Sequence, residues 1–280
     1  MNISVIGAKG VVGSAVSNYF YSLGHHIIRH DISDGNGITL NMADAVIGAD
    51  MIFVCVPTPP KHNGKCDISI VEKVTREIRD IASKEDCEVN IVYKSTMPPG
   101  STARMVSILR ETCEDVAVAY NPEFLRQKSA LEDMMNPSRI IVGSPDTLFG
   151  IKVMNLYEHT KCFRDIYNSY EAAELVKYYA NAYYAARISF FNQMKLLADK
   201  FGCDHDRIVR AIVADKTVGI HGSNPTGKPY GGSCLPKDVN AIIACGRENG
   251  IDMRLLEDVD RLNDIMGKKM VNDTISKWMR

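Results

Sequence analysis

Short apolar runs recur along the first 168 residues of the chain and alternate with amphipathic segments. They predict buried strands at residues 2–6, 26–30, 51–56, 89–93, 116–120 and 139–142, and a last strand or an extended linker at 161–168. Helical spacing of apolar residues lies between several of these runs, most clearly over 69–83 and 101–111. Apolar strands that alternate with helices are typical of a parallel sheet covered on both faces. We therefore predict a doubly wound α/β domain over residues 1–168.

The rest of the chain, residues 169–280, carries helical patterns only. The longest begins at Ser169 and ends near Phe201, and its interior is rich in alanine. At 1.5 Å per residue it would span roughly 48 Å, which is more helix surface than one small domain can bury. We therefore expect an all-α domain with a long central helix, and at least a homodimer built on the 169–201 helix. Shorter helices are predicted at 204–214, at 237–249 and from about residue 255 to the end.

Composition and charge exclude several classes of function. The 280 residues are 45% hydrophobic and 24% charged, with a formal net charge of −1, so nothing favours binding to nucleic acid. No apolar run approaches the roughly 18 residues that a membrane-spanning helix needs, and we expect no signal peptide before the first strand. The eight cysteines form neither a C-x-x-C pair nor a zinc-binding spacing. We expect a cytoplasmic protein with reduced thiols and no metal site.

A glycine-rich turn follows the first predicted strand. The spacing is G-x-x-G-x-x-G, one residue longer than the usual G-x-G-x-x-G. Strand, glycine turn, helix, strand and acid together indicate the dinucleotide-binding unit of a Rossmann-like fold. Asp31 lies 18 residues after Gly13 and could accept a hydrogen bond from a ribose hydroxyl, which favours NAD over NADP. The predicted cofactor-binding residues of this turn are Gly7, Lys9, Gly10, Val11, Val12 and Gly13.

Three later strands are each followed by a polar or proline-rich loop. Residues 57–60 follow the third strand, 94–100 follow the fourth, and 121–125 follow the fifth. In open α/β sheets, ligands bind outside the carboxyl ends of the strands. These loops therefore predict one wall of a binding site.

The segment Tyr230-Gly-Gly-Ser-Cys-Leu-Pro-Lys-Asp238 is the strongest candidate for chemistry. Pro236 suits the first turn of a helix, so Cys234 is expected at a helix N-terminus, where the dipole favours a thiolate. Asp238 would then lie one turn further along. The alternative is a glycine turn that leads into an ordinary helix, with a buried and inert cysteine. A second candidate pair, Lys177 and Asn181, is one turn apart on the long helix.

Taken together, five motifs resemble the UDP-glucose/GDP-mannose dehydrogenase family along essentially the whole chain. The motifs are Val54-Cys-Val-Pro-Thr-Pro59, Lys94-Ser-Thr-Met-Pro-Pro-Gly100, Asn121-Pro-Glu-Phe-Leu125, Glu174-Leu-Val-Lys177 with Asn181, and Gly231-Gly-Ser-Cys-Leu-Pro-Lys-Asp238. The resemblance implies oxidation of a nucleotide-sugar C6 alcohol to a carboxylate, with two hydride transfers to NAD. A UDP-sugar is the expected substrate. The family also carries a third domain, which we expect this chain to lack, so that substrate would bind weakly.

The resemblance also implies roles for individual residues. Cys234 would attack an intermediate aldehyde, and Lys177 and Asn181 would stabilise the oxyanion. Thr96, Glu123 and Asp238 would handle the proton and the hydrolytic water. Further cofactor contacts are expected from Val56, Pro57, Thr58, Ser95, Thr96 and Lys237. Further substrate contacts are expected from Glu123, Phe124, Leu125, Lys177, Asn181, Tyr230, Gly231 and Gly232.

Two departures from the family pattern leave alternatives open. Gln127 stands where the family usually has glutamate, and glutamine cannot act as a base. Thr217 stands where the family has an arginine, and Lys216 and His221 are the candidates to replace it. One alternative is a β-hydroxyacid dehydrogenase, a related architecture that performs one two-electron oxidation. The other is a non-catalytic homologue that keeps the fold.

Overall fold

A computed structural model of the chain describes residues 1–220, 223 and 226–278, and for residues 271–278 it describes the backbone alone. The chain forms two compact units. The first comprises Met1–Pro59 and Cys66–Lys177, and the second comprises Pro60–Lys65 and the residues from Tyr178 onward. These two units are defined by compactness alone, so the domain boundary predicted between residues 168 and 169 stays a prediction.

The first unit is built on a seven-stranded sheet. Its strands are β1 (Asn2–Ile6), β2 (His26–His30), β3 (Met51–Val54), β4 (Val89–Tyr93), β5 (Val116–Tyr120), β6 (Arg139–Gly143) and β7 (Phe163–Tyr167). The order across the sheet is β2-β1-β3-β4-β5-β6-β7, and the first five strands are parallel. The strand order therefore changes direction between β1 and β3, which is where such folds open a crevice for a ligand. The predicted Rossmann-like α/β fold is confirmed.

Helices cover both faces of this sheet. They are α1 (Val11–Ser22), α2 (Met42–Val46), α3 (Ser69–Glu85), α4 (Ser101–Leu109), α5 (Ala130–Met135) and α6 (Thr147–Asn155). On one face, residues such as Ile52 and Ile91 pack against Ile78 of α3. On the other face, Phe53 packs with Phe20 of α1, their ring centroids 5.0 Å apart. Each fully buried side chain of this kind stabilises the fold by about 2 kcal/mol, which explains the near-continuous apolar strands.

The sheet is not parallel throughout, because β6 runs antiparallel to β5. The two strands meet at Tyr120 and Gly143, and β7 continues parallel to β6. The segment predicted as a strand or a linker at 161–168 is a strand. The reversal places Arg139, the first residue of β6, beyond the carboxyl end of β5 and beside Phe124.

The second unit is helical. Its elements are α7 (Tyr170–Lys200), which begins in the first unit, α8 (His205–Val213), α9 (Leu235–Glu248) and α10 (Arg254–Trp278). The predicted long helix at 169–201 is confirmed. Ala185 of α7 packs with Val239 and Ile243 of α9 and with Val259 of α10. In the part of the chain that the structure describes, no helix has the length and apolarity needed to cross a membrane.

Candidate active site

The turn between β1 and α1 is built so tightly that two of its glycines cannot be replaced without a shift of the backbone. Gly7 has φ +83°, and a Cβ atom there would lie 2.8 Å from the carbonyl oxygen of Cys55. A Cβ atom on Gly13 would lie 2.1 Å from the carbonyl oxygen of Gly7. Gly10 caps α1, so Val11 and Val12 begin the helix directly after the turn. Close approach of backbone and a helix N-terminus are what a pyrophosphate needs.

Asp31, directly after β2, lies beside this turn. Its Oδ2 accepts a hydrogen bond from the backbone N–H of Lys9 at 3.0 Å, and its Oδ1 accepts one from the hydroxyl of Ser33 at 3.1 Å. Partial burial would raise the pKa of the Asp31 carboxyl, but the hydrogen bonds from Lys9 and Ser33 outweigh it, and the pKa is lowered. Asp31 is therefore held as a carboxylate. A glycine turn, a helix N-terminus and an ionised acid fit a dinucleotide.

The loops after β3 and β4 contact each other, because these strands are neighbours in the sheet. The Thr58 hydroxyl donates to the carbonyl oxygen of Thr96 at 2.8 Å, and the Ser95 hydroxyl donates to that of Val56 at 2.6 Å. Of the five residues predicted in these loops, only Pro57 is exposed. The structure thus brings these predicted residues together at the carboxyl edge of the sheet.

Glu123 and Lys177 form an ion pair within the first unit. The Lys177 ammonium lies 2.9 Å from Oε1 of Glu123, with only 6% and 10% of the two side chains exposed. Oε2 of Glu123 accepts a hydrogen bond from the backbone N–H of Leu125 at 2.6 Å. The ring of Phe124 lies 5.6 Å from the Lys177 ammonium. Four residues predicted for substrate and chemistry are therefore neighbours.

A buried network beneath this pair was not predicted. The Lys94 ammonium, 3% exposed, donates to the side-chain oxygen of Asn121 at 2.8 Å and to its carbonyl oxygen at 3.2 Å. The Tyr157 hydroxyl also donates to the Asn121 side chain, at 2.7 Å. Burial lowers the pKa of Lys94 to about 8. The sequence offers one signal for this network. Lys94 follows directly after an apolar strand, at a position where a solvent-exposed side chain would be usual.

In the second unit, Cys234 is the N-cap residue of α9, and Pro236 lies in the first turn. The predicted position at a helix N-terminus is confirmed. Cys234 is exposed, which rules out the alternative of a buried cysteine. Asp238, only 2% exposed, accepts hydrogen bonds from the Asn181 amide and from the Lys237 ammonium, each at 2.6 Å. Three of the predicted residues therefore form one hydrogen-bonded group.

Tyr230 is fixed by the neighbouring helix α10. Its backbone N–H donates to Asn263 at 2.7 Å, its hydroxyl donates to Asp260 at 3.1 Å, and 4% of the residue is exposed. Gly232 has φ +77°, and added Cβ atoms on Gly231 or Gly232 would meet nothing within 4 Å. These glycines therefore border open space, and the role of all three residues in substrate binding stays a prediction.

The two departures from the family pattern lie on the surface. Gln127 is exposed in a 3₁₀ turn, Gln127–Ser129. The hydroxyl and backbone N–H of Thr217 both donate to Asp215, at 2.8 and 2.9 Å. Lys216 is exposed. His221 lies outside the described residues, so its role as a replacement stays a prediction.

Comparison with known proteins places these residues in a family. The model of the UDP-glucose/GDP-mannose dehydrogenase family, NAD binding domain, matches residues 36–161, and that of the family's central domain matches residues 171–265. The chain is 30% identical to GDP-mannose 6-dehydrogenase of Pseudomonas syringae pv. tomato, across 94% of this chain and 68% of the relative. The chain belongs to the UDP-glucose/GDP-mannose dehydrogenase family.

Other members extend the comparison. The chain is 35% identical to UDP-glucose 6-dehydrogenase of Pseudomonas aeruginosa, across 87% of this chain and 55% of that enzyme. Its fold matches a UDP-glucose dehydrogenase from Pyrobaculum islandicum with a TM-score of 0.90 and 30% identity, covering 98% of this chain and 71% of that one. The family resemblance seen in the motifs is confirmed, and the cofactor of this family's first domain is NAD.

Proposed function

We propose that this chain carries the site of an NAD-dependent nucleotide-sugar 6-dehydrogenase that oxidises the C6 alcohol of a UDP-glucose-type substrate to the uronate. The similarity to enzymes named for UDP-glucose and for GDP-mannose supports a nucleotide sugar. The fold match to a UDP-glucose dehydrogenase with a TM-score of 0.90 supports UDP as the nucleotide.

The observation that carries the proposal is the exposed Cys234 at the N-terminus of α9. A sulfur atom exposed at this position is accessible to a ligand, and cysteine is an intrinsically strong nucleophile. An enzyme that stops after one two-electron oxidation has no use for such a nucleophile. A four-electron oxidation needs one, because the aldehyde must be converted into a species that can donate a second hydride.

The chemistry then proceeds in balanced steps. NAD⁺, when bound, would accept the hydride of each oxidation. The alcohol proton passes through the Thr96 hydroxyl or a water molecule to the Glu123 carboxylate. The Cys234 thiol passes its proton to water as its sulfur bonds to the aldehyde carbon, which turns the carbonyl into the oxyanion of a thiohemiacetal. Loss of the second hydride leaves a thioester on Cys234. Water, with its proton accepted through Asp238, cleaves the C–S bond and releases the carboxylate and the thiol.

Lys177 and Asn181 are proposed to stabilise the oxyanion. They lie four residues apart on α7. The Lys177 ammonium has three N–H donors, and Glu123 takes one of them. The Asn181 amide has two N–H donors, and Asp238 takes one of them. Each carboxylate thereby fixes its partner's orientation while leaving donors for a substrate oxygen, which is the preorganisation that oxyanion stabilisation requires.

We also propose that the protein is a homodimer built on α7. Within the second unit, α7 exposes large apolar side chains at helical spacing, namely Tyr179, Tyr183, Phe190, Met194 and Leu197. Between 36% and 68% of each of these residues is exposed. A contiguous apolar stripe of this length is typical of a protein–protein interface. A second copy of the same helix offers a matching surface.

Counting NADH released per nucleotide sugar tests the proposed reaction. The chain would be incubated with excess NAD⁺ and a limiting amount of UDP-glucose, and with GDP-mannose in a parallel reaction. Two NADH per sugar are expected. One would indicate the alternative of a single two-electron oxidation, as in β-hydroxyacid dehydrogenases, and none with either sugar would favour the non-catalytic homologue.

A further inference from the structure

Two cations face the ring of Phe124, and among the described residues only one of them has an anionic partner. The Lys177 ammonium is 5.6 Å from the ring centroid and is paired with Glu123. The guanidinium carbon of Arg139 is 3.8 Å from the same centroid. Among the described residues, no hydrogen-bond acceptor or carboxylate binds the Arg139 guanidinium, so none of its five N–H donors has an acceptor there.

The reversal of β6 places this arginine at the edge of the sheet where ligands bind. Because β6 is antiparallel to β5 and pairs with it through Gly143, its first residue extends beyond the carboxyl end of β5. Arg139 is half-buried there, and close contact with the ring of Phe124 restrains its guanidinium. The N–H groups lie in the guanidinium plane and are free to form a bidentate contact with an oxyanion.

The charges around Arg139 also favour the binding of an anion. Lys94, Lys177 and Arg139 are positive, and among the described residues Glu123 is the one carboxylate in direct contact with any of these three groups. Lys94 and Lys177 are also buried, so water screens their charges little. Uncompensated positive charge in such surroundings costs free energy unless an anion is bound.

We propose that Arg139, oriented by Phe124, binds an anionic oxygen group of the nucleotide-sugar ligand. This inference rests on the proposed function. Two parts of such a ligand offer the same chemistry, namely the diphosphate, present in substrate and product, and the C6 carboxylate, present in the uronate product alone. Arg139 would be a binding residue of the site, in addition to those identified from the motifs.

Calorimetric titration of the full chain with UDP-glucose, UDP-glucuronate and NAD⁺ distinguishes the two sources without any turnover. In Arg139→Met, loss of a charge-assisted contact should weaken binding about 10- to 100-fold. If the group is the carboxylate, only UDP-glucuronate weakens. If it is the diphosphate, both UDP-sugars weaken equally. NAD⁺ should bind within about twofold of wild type in either case, which also shows that the first unit is folded.

Arg126→Met is the matched control, because it removes an exposed arginine of the same unit that is already paired with Asp133. It should bind all three ligands as wild type does. Unchanged sugar binding in Arg139→Met, or equal weakening in Arg126→Met, would overturn the role of Arg139 alone. The wild type would also be titrated with GDP-mannose and GDP-mannuronate. If it binds none of the four nucleotide sugars, the proposed function is overturned together with the role of Arg139.

Discussion

Thr102 donates two hydrogen bonds to the Glu174 carboxylate, from its backbone N–H at 2.8 Å and from its hydroxyl at 2.6 Å. A third comes from the N–H of Gly100 at 2.7 Å. Glu174 on α7 therefore satisfies the N-terminal donors of α4, three residues before Lys177. Burial raises the pKa of Glu174 to about 7, although these hydrogen bonds oppose the shift.

This raised pKa predicts that Glu174 stabilises the fold less as pH rises. Between about pH 4.5 and 7 the unfolded chain has released the proton and the folded chain still holds it, so the free energy of unfolding falls with pH. Urea unfolding of wild type and of Glu174→Gln, which cannot titrate, would be measured from pH 5 to 8. The stability of wild type relative to the variant should fall across this range, by at most on the order of 3 kcal/mol. A constant difference would contradict the prediction.

Replacing Cys234 should stop the reaction after the first oxidation. Without the thiol, no thiohemiacetal forms, so Cys234→Ala should produce no uronate while binding NAD⁺ with the affinity of wild type. The measurement is NADH per sugar together with product analysis. Cys203→Ala is the control, because Cys203 is the other exposed cysteine among the described residues and should be dispensable. Two NADH per sugar from Cys234→Ala would exclude the thioester mechanism.

Gly13→Ala should damage both the first unit and its cofactor site. The added methyl group would lie 2.1 Å from the carbonyl oxygen of Gly7, so the turn must move. We expect a loss of about 1–3 kcal/mol of stability and NAD⁺ binding weakened by about tenfold or more. Gly267→Ala in α10 is the control, because its methyl group meets nothing within 4 Å and should stabilise the helix by about 1 kcal/mol. Unaltered NAD⁺ affinity in Gly13→Ala would argue against a cofactor at this turn.

A charge in the apolar stripe of α7 should separate the proposed dimer. Burying glutamate at position 190 without a partner is costly, so Phe190→Glu should shift the mass toward that of one 31.1 kDa chain. Light scattering at micromolar concentration measures this directly. Tyr21→Glu, at a 67% exposed position in the first unit, should leave the dimer intact. A wild type that is already monomeric would refute the dimer.

The strands and the longer helices of this fold were predictable because each leaves a local pattern in the sequence, whereas the helices α2, α5 and α6 were not predicted. An apolar run predicted β1, and the glycine turn predicted the helix α1 that follows it. Pro236 predicted the start of α9, with Cys234 at its N-terminus. Long-range pairing leaves no such pattern. Nothing local shows that β6 is antiparallel to β5, that Lys94 is buried against Asn121, or that Glu174 caps α4.

The reversed strand β6 also has a consequence for protein engineering. A Cβ atom on Gly143, its last residue, would lie 2.7 Å from both the Ala173 Cβ and the Ser169 carbonyl oxygen at the start of α7. The guanidinium of Arg139, its first residue, contacts the ring of Phe124 and has no hydrogen-bond or ion-pair partner among the described residues. One five-residue strand thus has a rigid end and an adaptable end. We expect a library that varies residue 139 to sample ligand preference, and one that varies residue 143 to yield mostly chains that pack poorly.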